Sequence, residues 1–167
     1  MSEILDKVFV IIFMTVEVPV ASNRKELKMK NYVKKIKKKY RTDDPFELAR
    51  SLNIVVLFEE LGTINGYFNT VCRQRFIHIN RRLTEPEMRL TLAHEIGHVL
   101  LHPTTNTYFL RSNTLFSVGR FEQEANLFAV FFLIPDEELL EYREFSVGQL
   151  SSLFGIPEPL IEMRLKQ

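Results

Sequence analysis

Cysteine is almost missing from this sequence, and its scarcity limits both the covalent cross-links and the metal chemistry of the chain. Cys72 is the one cysteine among 167 residues, so an internal disulfide cannot form and a cysteine-rich structural zinc site is excluded. A chain without disulfides fits a reducing compartment. Internal repeats are missing as well, and the 46% hydrophobic and 26% charged residues are typical of one globular domain with a buried core.

The sequence also has no uncharged apolar run that is long enough to cross a membrane as a helix. The apolar segment VFVIIFMTVEVPV, residues 8–20, is interrupted by Glu17 and falls short of the roughly 20 residues that a spanning helix needs. The residues before it, Met1–Lys7, carry two acids and one lysine, whereas a signal peptide has a positive start. We therefore expect a cytoplasmic protein without a membrane partner.

The first 28 residues are interpreted as an N-terminal tail that is loosely attached or weakly ordered. An alternative hypothesis is that natural translation begins at Met29, because the preceding Lys25-Glu26 can be encoded by a purine-rich ribosome-binding sequence. The main domain is predicted over residues 29–145. A C-terminal helix pair over residues 146–167 is predicted to pack on it, since SVGQLSSLFGIPEPLIEMRL contains a cap, a glycine break and a second helical pattern.

Acidic residues are nearly missing from residues 24–41, which hold ten of the 22 lysines and arginines and a single acid, Glu26. Apolar residues in this segment recur at the three- and four-residue spacing of a helix; they are Met29, Tyr32, Val33, Ile36 and Tyr40. The pattern predicts an amphipathic helix over residues 29–40. We interpret its lysines as a solvated face rather than a nucleic-acid patch. The C-terminal helix pair has few basic residues, so direct DNA binding is not expected.

Three short segments rich in β-branched and aromatic residues predict strands: NIVVLFEEL (53–61), GYFNTV (66–71) and RFIHIN (75–80). We predict that they form a small three-stranded antiparallel sheet, with turns between them. His78 in the last strand is interpreted as a sheet residue, because nothing beside it has ligand spacing. Helical patterns precede and follow the strands, so the predicted fold class is α+β.

The segment TEPEMRLTLAHEIGHVLLH predicts a capped, largely buried helix that contains an HExxH motif. Thr84 with Glu87 three positions later forms a capping box, and the helix is predicted to end at about Leu101. His94 and His98 lie one turn apart on the same face, so both imidazoles can bind one ion. Glu95 points beside the metal, where a general base for hydrolysis belongs.

A third protein ligand is needed to complete a catalytic zinc site. His102 lies about 12 Å along the helix axis from His94, too far to share an ion with both motif histidines. The metzincin pattern fails, because Leu101 and Thr104 replace its glycine and its last histidine. The segment FEQEAN offers two glutamates instead, and only one of them can face the ion, because they lie two positions apart on a helix; they are Glu122 and Glu124.

TLAHEIGHVLLH followed by FEQEANLFAVFFLIP resembles the ImmA/IrrE family of small metallopeptidases. The resemblance covers roughly residues 29–167 and rests on HExxH, on E-x-x-A-N-x-F-A and on the Leu-Ile-Pro end of that helix. It implies a small zincin-like domain with an active-site helix. In the wider gluzincin pattern, an acid or amide follows the ligand glutamate after four residues, which Glu122 and Asn126 match and Glu124 and Phe128 do not.

The resemblance therefore implies Zn²⁺ as cofactor with three protein ligands: His94, His98 and Glu122. Asn126 is expected to hydrogen-bond a ligand histidine and to fix its tautomer. Glu124 is retained as the alternative third ligand.

Glu95 is the implied catalytic base, which takes a proton from the attacking water and passes it to the leaving amine. Candidates for stabilising the tetrahedral oxyanion lie between the ligands; they are Tyr108, Arg111 and Arg120.

Members of the family cleave helix-turn-helix repressors, so the resemblance implies an endopeptidase that acts as an antirepressor for a phage or mobile-element operon. Val71–Asn80 is the predicted sheet edge on which an extended segment of the repressor would dock. The protein is expected to be a monomer. An alternative hypothesis is a non-catalytic module that keeps the metal fold and either sequesters the repressor or acts in a toxin–antitoxin pair.

Overall fold

The computed structural model describes residues 20–103 and 118–166, which contain seven helices and three strands. In chain order they are α1 (Val20–Tyr40), α2 (Pro45–Ser51), β1 (Ile54–Glu59), β2 (Gly66–Val71), β3 (Gln74–Asn80), α3 (Glu85–Leu101), α4 (Val118–Leu133), α5 (Asp136–Glu141), α6 (Val147–Phe154) and α7 (Glu158–Leu165). The predicted α+β class is confirmed. Among the described helices, none combines the length and the apolarity that crossing a membrane requires.

Helix α1 begins at Val20, before the predicted start at Met29. The described end of the predicted tail is thus helical, while residues 1–19 lie outside the described residues. The predicted apolar face is present, because Met29, Val33 and Ile36 are buried in the main core. Lysines fill the last turn, where positive charge is favourable beside the negative end of the helix dipole.

The sheet has the strand order β1-β3-β2 and is mixed rather than antiparallel. β2 and β3 form an antiparallel hairpin, whereas β1 runs parallel to β3. The prediction of a wholly antiparallel sheet is therefore wrong for β1. The six-residue connection after β1 does not form a hairpin, because it carries the chain past the position of β3 to the far side of the sheet. The Asn80 side chain holds this connection by donating to the carbonyls of Gly62 and Ile64, both at 3.0 Å.

The central position of β3 also changes the predicted sheet edge. β3 pairs with a strand on each side, so most of Val71–Asn80 lies inside the sheet. The outer strands of the described sheet are β1 and β2. A two-residue turn joins β2 to β3 with positive φ at Cys72 and Arg73, 48° and 66°, as tight hairpins require.

Helices α3 and α4 form the centre of the main core. The predicted capping box is present at the start of α3, where the Thr84 N–H donates to the Glu87 carboxylate at 2.8 Å. Gly97 lets α4 approach closely, since a Cβ placed there would lie 3.2 Å from the Cα and carbonyl oxygen of Ala125. This close crossing brings the first turns of α4 beside the HExxH motif.

The C-terminal helices α6 and α7 pack on α3 and α4 through a second apolar cluster that shares Leu90 and Leu133 with the main core. Ser146 caps α6 and Gly155 ends it in the left-handed conformation, with φ 64°. Buried Arg164 fastens α7 to the end of α4, because its Nε donates to the Ile134 carbonyl at 3.0 Å.

Candidate metal centre

Three side chains bring atoms that could bind a metal ion together where α3 crosses α4. His94 Nε2 lies 3.0 Å from His98 Nε2. Glu122 Oε2 lies 3.1 Å from His94 Nε2, and Glu122 Oε1 lies 3.4 Å from His98 Nε2. These ligand atoms all lie within 4.8 Å of one another. A tetrahedral zinc ion with bonds of about 2.0–2.1 Å needs its ligand atoms roughly 3.3 Å apart, so the donor set fits such an ion.

Two neighbouring side chains orient the histidine rings. Asn126 lies one turn after Glu122, and its Oδ1 is 2.8 Å from His94 Nδ1. Because an amide oxygen accepts, Nδ1 of His94 carries the hydrogen and Nε2 presents its lone pair to the cluster. His98 is fully buried and stacks on Phe68 of β2, with 6.4 Å between ring centroids. Its Nδ1 has no hydrogen-bond partner among the described residues, so packing holds this ring.

Glu95 is only 1% exposed, yet it borders the cleft that leads to the cluster. The cleft has a volume of about 250 Å³ and is also lined by His94, Glu122 and Asn126. A buried carboxylate beside metal-binding atoms is placed to exchange a proton with a water molecule in the cleft.

The cleft walls include residues that sequence reasoning did not single out for the site. One wall is formed by Asn65 and Gly66 at the start of β2, and another by Pro157 and Leu160 at the start of α7. In the sequence, Asn65-Gly66 indicates only a turn between two strands. No spacing rule connects α7 with a motif some sixty residues earlier, so only the packing of the C-terminal helices reveals this apolar wall.

The electrostatics of the cluster are dominated by opposite charges at short range. Burial would raise the pKa of Glu122, but hydrogen bonds from His94 and His98 hold it far below its usual range. Burial would lower the pKa of His94, but the Glu122 and Glu95 carboxylates raise it. A metal ion would take the place of the proton that Glu122 favours on His94, because a histidine that binds a metal must be neutral.

Glu124, the alternative third ligand, points away from the cluster. Its carboxylate lies 3.3 Å from His102 Nε2, 3.0 Å from Arg120 Nε and 3.6 Å from Lys25 Nζ. His102 is the C-cap residue of α3 and joins this second group rather than the metal-binding atoms. Burial lowers the pKa of His102 despite its glutamate partner.

The remaining candidates lie apart from the cluster or outside the described residues. Arg120 is exposed and paired with Glu124, while Tyr108 and Arg111 lie outside the described residues. His78 stacks on Tyr67 in the sheet at 4.4 Å between centroids and has no place in the metal-binding group of the described chain.

The fold and the site together define a metallopeptidase. Residues 49–166 match the sequence profile of the peptidase family described as the IrrE N-terminal-like domain. Because this match spans more than half of the chain, the chain belongs to that family, and the resemblance inferred from the HExxH and ExxAN motifs is confirmed.

Two relatives and one solved structure are similar over most of the chain. Uncharacterized immunity region protein 2 of Bacillus phage phi105 is 38% identical over 139 residues, 81% of this chain and 88% of that protein. Metallopeptidase ImmA of Bacillus subtilis (strain 168) is 29% identical over 145 residues, 83% of this chain and 85% of ImmA. A Mycobacterium tuberculosis transcriptional regulator has a TM-score of 0.56 at 15% identity, covering 85% of this chain and 46% of the regulator. At that identity the likeness shows the fold alone.

Proposed function

We propose that this protein is a zinc-dependent endopeptidase that hydrolyses a peptide bond in a helix-turn-helix repressor and so releases a phage or mobile-element operon. The observation that carries the proposal is the cluster of His94, His98 and Glu122 with Glu95 beside it in one cleft. The immunity-region name of the phage relative and the metallopeptidase name of ImmA support the setting and the chemistry.

Each residue of the site has a distinct role in the proposed reaction. His94, His98 and Glu122 would hold the ion, which supplies a Lewis acid that polarises a carbonyl and lowers the pKa of a coordinated water toward 7. Glu95 accepts the proton of the attacking water and passes it to the leaving amine. Asn126 keeps the His94 lone pair directed at the ion.

The outer strand β2 is the proposed docking edge for the substrate, in place of Val71–Asn80. Gly66, its first residue, lies against α3, since a Cβ there would be 2.6 Å from Thr91 Cγ2 and 3.9 Å from Glu95 Cγ. A peptide that adds to this edge as an extended strand would therefore pass beside the catalytic base. An extended, unfolded segment of the repressor suits this geometry better than a helix.

The proposed setting is the cytoplasm, where a repressor is found, and the proposed working form is a monomer. A complete His₂Glu donor set within one chain supports a monomer, because no ligand from a second copy is required.

The proposal is tested by incubating the protein with the helix-turn-helix repressor encoded beside its gene, with and without a chelator. Mass spectrometry should find two repressor fragments, and chelation should abolish them. Glu95→Gln should keep stoichiometric zinc and the fold but cleave at least about 100-fold more slowly, as expected for loss of a general base. Cleavage by Glu95→Gln at the normal rate would contradict the assigned role.

The same variant separates the peptidase from the non-catalytic alternative. A module that only sequesters the repressor, or that acts as a toxin–antitoxin partner, would still induce the operon when Glu95 is replaced by glutamine. Operon induction is measured with a reporter in cells that express each variant at equal levels. Full induction by Glu95→Gln without repressor fragments would refute the peptidase proposal.

A further inference from the structure

Eight of the nine lysine and arginine side chains of α1 fall into two groups that the sequence cannot separate; the ninth, Lys39, lies over the Tyr40 ring at 4.8 Å. In the first group, each ammonium pairs with a carboxylate outside α1. Lys30 and Lys34 lie 2.8 and 3.4 Å from Asp136, Lys37 lies 2.6 Å from Asp43, and Lys25 lies 3.6 Å from Glu124. These contacts hold α1 against the rest of the domain. They offset only part of the positive charge, because Lys30 and Lys34 share the carboxylate of Asp136 with Arg164.

The second group forms a continuous row on the outside of α1, called the basic stripe here: Arg24, Lys28, Lys35 and Lys38. All four residues are exposed, as is Asn31 between them. At about 100° per residue they lie within an arc of roughly 80°, and at 1.5 Å per residue the row is about 21 Å long. Within residues 24–103 and 119–166, no carboxylate lies within ion-pair distance of these four cations.

We propose that the basic stripe binds the phosphate backbone of double-stranded DNA without reading its sequence. Lysine is a point-charge donor that suits phosphate oxygens, and a straight row of cations matches the dense negative charge along a duplex. From the sequence, the lysines of α1 are interpreted only as a solvated face. The structure shows in addition that the cations of the basic stripe, which have no ion pair within the described residues, lie in a row of positive charge.

A protein partner or a membrane fits the stripe less well than DNA does. Lysine is depleted in the buried centres of protein interfaces, which need apolar or aromatic anchors. An amphipathic membrane helix inserts its apolar face, but the apolar face of α1 is buried, with Met29, Val33 and Ile36 in the core.

The charge of the whole chain favours one orientation on a polyanion. Outside residues 24–41, the chain holds 12 basic and 20 acidic residues, so the remainder is net negative and repels a duplex. Long-range attraction is thus confined to the side that carries α1. DNA binding by the basic stripe goes beyond the proposed peptidase function and does not depend on it. One consequence does rest on that function: DNA binding would bring the cleft close to a repressor that is bound to its operator.

The test measures fluorescence anisotropy of a labelled duplex of unrelated sequence with the full-length protein over a salt series. Four phosphate contacts predict a slope of log K against log salt of about −3.6. The triple variant Lys28→Gln/Lys35→Gln/Lys38→Gln should bind at least tenfold more weakly at low salt and bring the slope to about −1. The matched control Arg73→Gln/Arg143→Gln/Lys166→Gln loses the same charge from exposed positions elsewhere and should keep the slope.

A charge-preserving triple, Lys28→Arg/Lys35→Arg/Lys38→Arg, should retain binding, and thermal melting by circular dichroism checks that every variant is folded. The proposal is overturned if wild type binds no duplex at low salt, if the control loses as much affinity as the stripe variant, or if vesicles containing phosphatidylserine are bound more tightly than DNA. Cleavage of repressor free in solution serves as a separate readout and should be equal for the stripe variant and wild type. Absence of that cleavage would refute the peptidase proposal and leave the DNA result intact.

Discussion

At the scale of single residues, two glutamates that are two positions apart on α4 have opposite surroundings. Glu122 faces His94 and His98, whereas Glu124 faces His102, Arg120 and Lys25. Two positions on a helix differ by about 200° around the axis. One carboxylate therefore meets the two imidazoles of the candidate metal centre, and the other joins α1, α3 and α4 on the far side. The two residues therefore form a matched pair for testing the ligand assignment.

Replacing Glu122 by glutamine should remove the charged ligand and leave the helix intact. Changing a residue that hydrogen-bonds to a metal ligand typically lowers metal affinity by about 10–100-fold. We expect the zinc affinity of Glu122→Gln to fall by more than that, because the ligand itself is changed. Glu124→Gln, which has the same change in charge and size, should stay within a few-fold of wild type. Competition with a chromophoric chelator measures both affinities, and the reverse ranking would assign Glu124 as the third ligand.

At the scale of secondary-structure elements, the site depends on how closely α3 and α4 cross. Gly97 lies between the two imidazole-bearing turns, and a Cβ there would be 3.2 Å from Ala125 backbone atoms and from Phe128 Cβ. Backbone atoms cannot turn aside as a flexible side chain can, so a larger residue must push the helices apart. That movement would carry Glu122 away from the histidines.

Gly97→Ala should therefore destabilise the protein although alanine is the better helix former. Overpacking costs about 1–3 kcal/mol and the gain in helix propensity is about 1 kcal/mol, so we expect a net loss of up to about 2 kcal/mol in the free energy of unfolding. Urea denaturation measures it. Gly119→Ala on α4 is the control, since nothing lies within 4 Å of a Cβ there, and it should be neutral or slightly stabilising. Equal stability of the two variants would contradict the close crossing.

Helices and strands that are marked by residues close together in the sequence can be predicted from this sequence. The arrangement of these elements relative to one another is harder to predict. The capping box predicted at Thr84 and the cap predicted at Ser146 mark helix starts that the structure contains, because such signals depend on residues a few positions apart. The order of the strands in the sheet depends instead on the path of the connection after β1. The alternation of apolar and polar residues in the strands does not indicate that path. For the same reason Val71–Asn80 was predicted as the sheet edge, although β2 is the outer strand.

At the scale of the whole molecule, Asp136 connects segments from both ends of the described chain. Its carboxylate lies 2.8 Å from Lys30 Nζ and 3.4 Å from Lys34 Nζ in α1, and 2.7 Å from Arg164 Nη2 in α7. The Arg164 guanidinium is also 4.7 Å from the Phe131 ring centroid. The sequence gives no indication of this network. Lys30 and Lys34 lie more than a hundred residues before Asp136, and Arg164 lies 28 residues after it.

This network makes part of the stability dependent on pH. Burial opposes ionisation of Asp136, but hydrogen bonds from Lys30 and Arg164 outweigh it and lower its pKa to about 2, from an ordinary value of 3.8. A carboxyl whose pKa is lower in the folded state stabilises the fold above its unfolded pKa, and this contribution is lost as the pH falls through the folded pKa. For Asp136 the contribution is on the order of 2 kcal/mol at neutral pH and declines below about pH 4.

Asp136→Asn should therefore lower the free energy of unfolding by about 1–2 kcal/mol at pH 7, measured by urea denaturation. The difference from wild type should be constant down to about pH 4 and should shrink toward pH 2, where the wild-type carboxyl also becomes protonated. Asp43→Asn is the matched control, because it removes a carboxylate that is 81% exposed beside Lys37, and exposed pairs contribute little. A difference for Asp136→Asn that stays the same from pH 7 to pH 2 would show that the lost stability comes from packing rather than from charge.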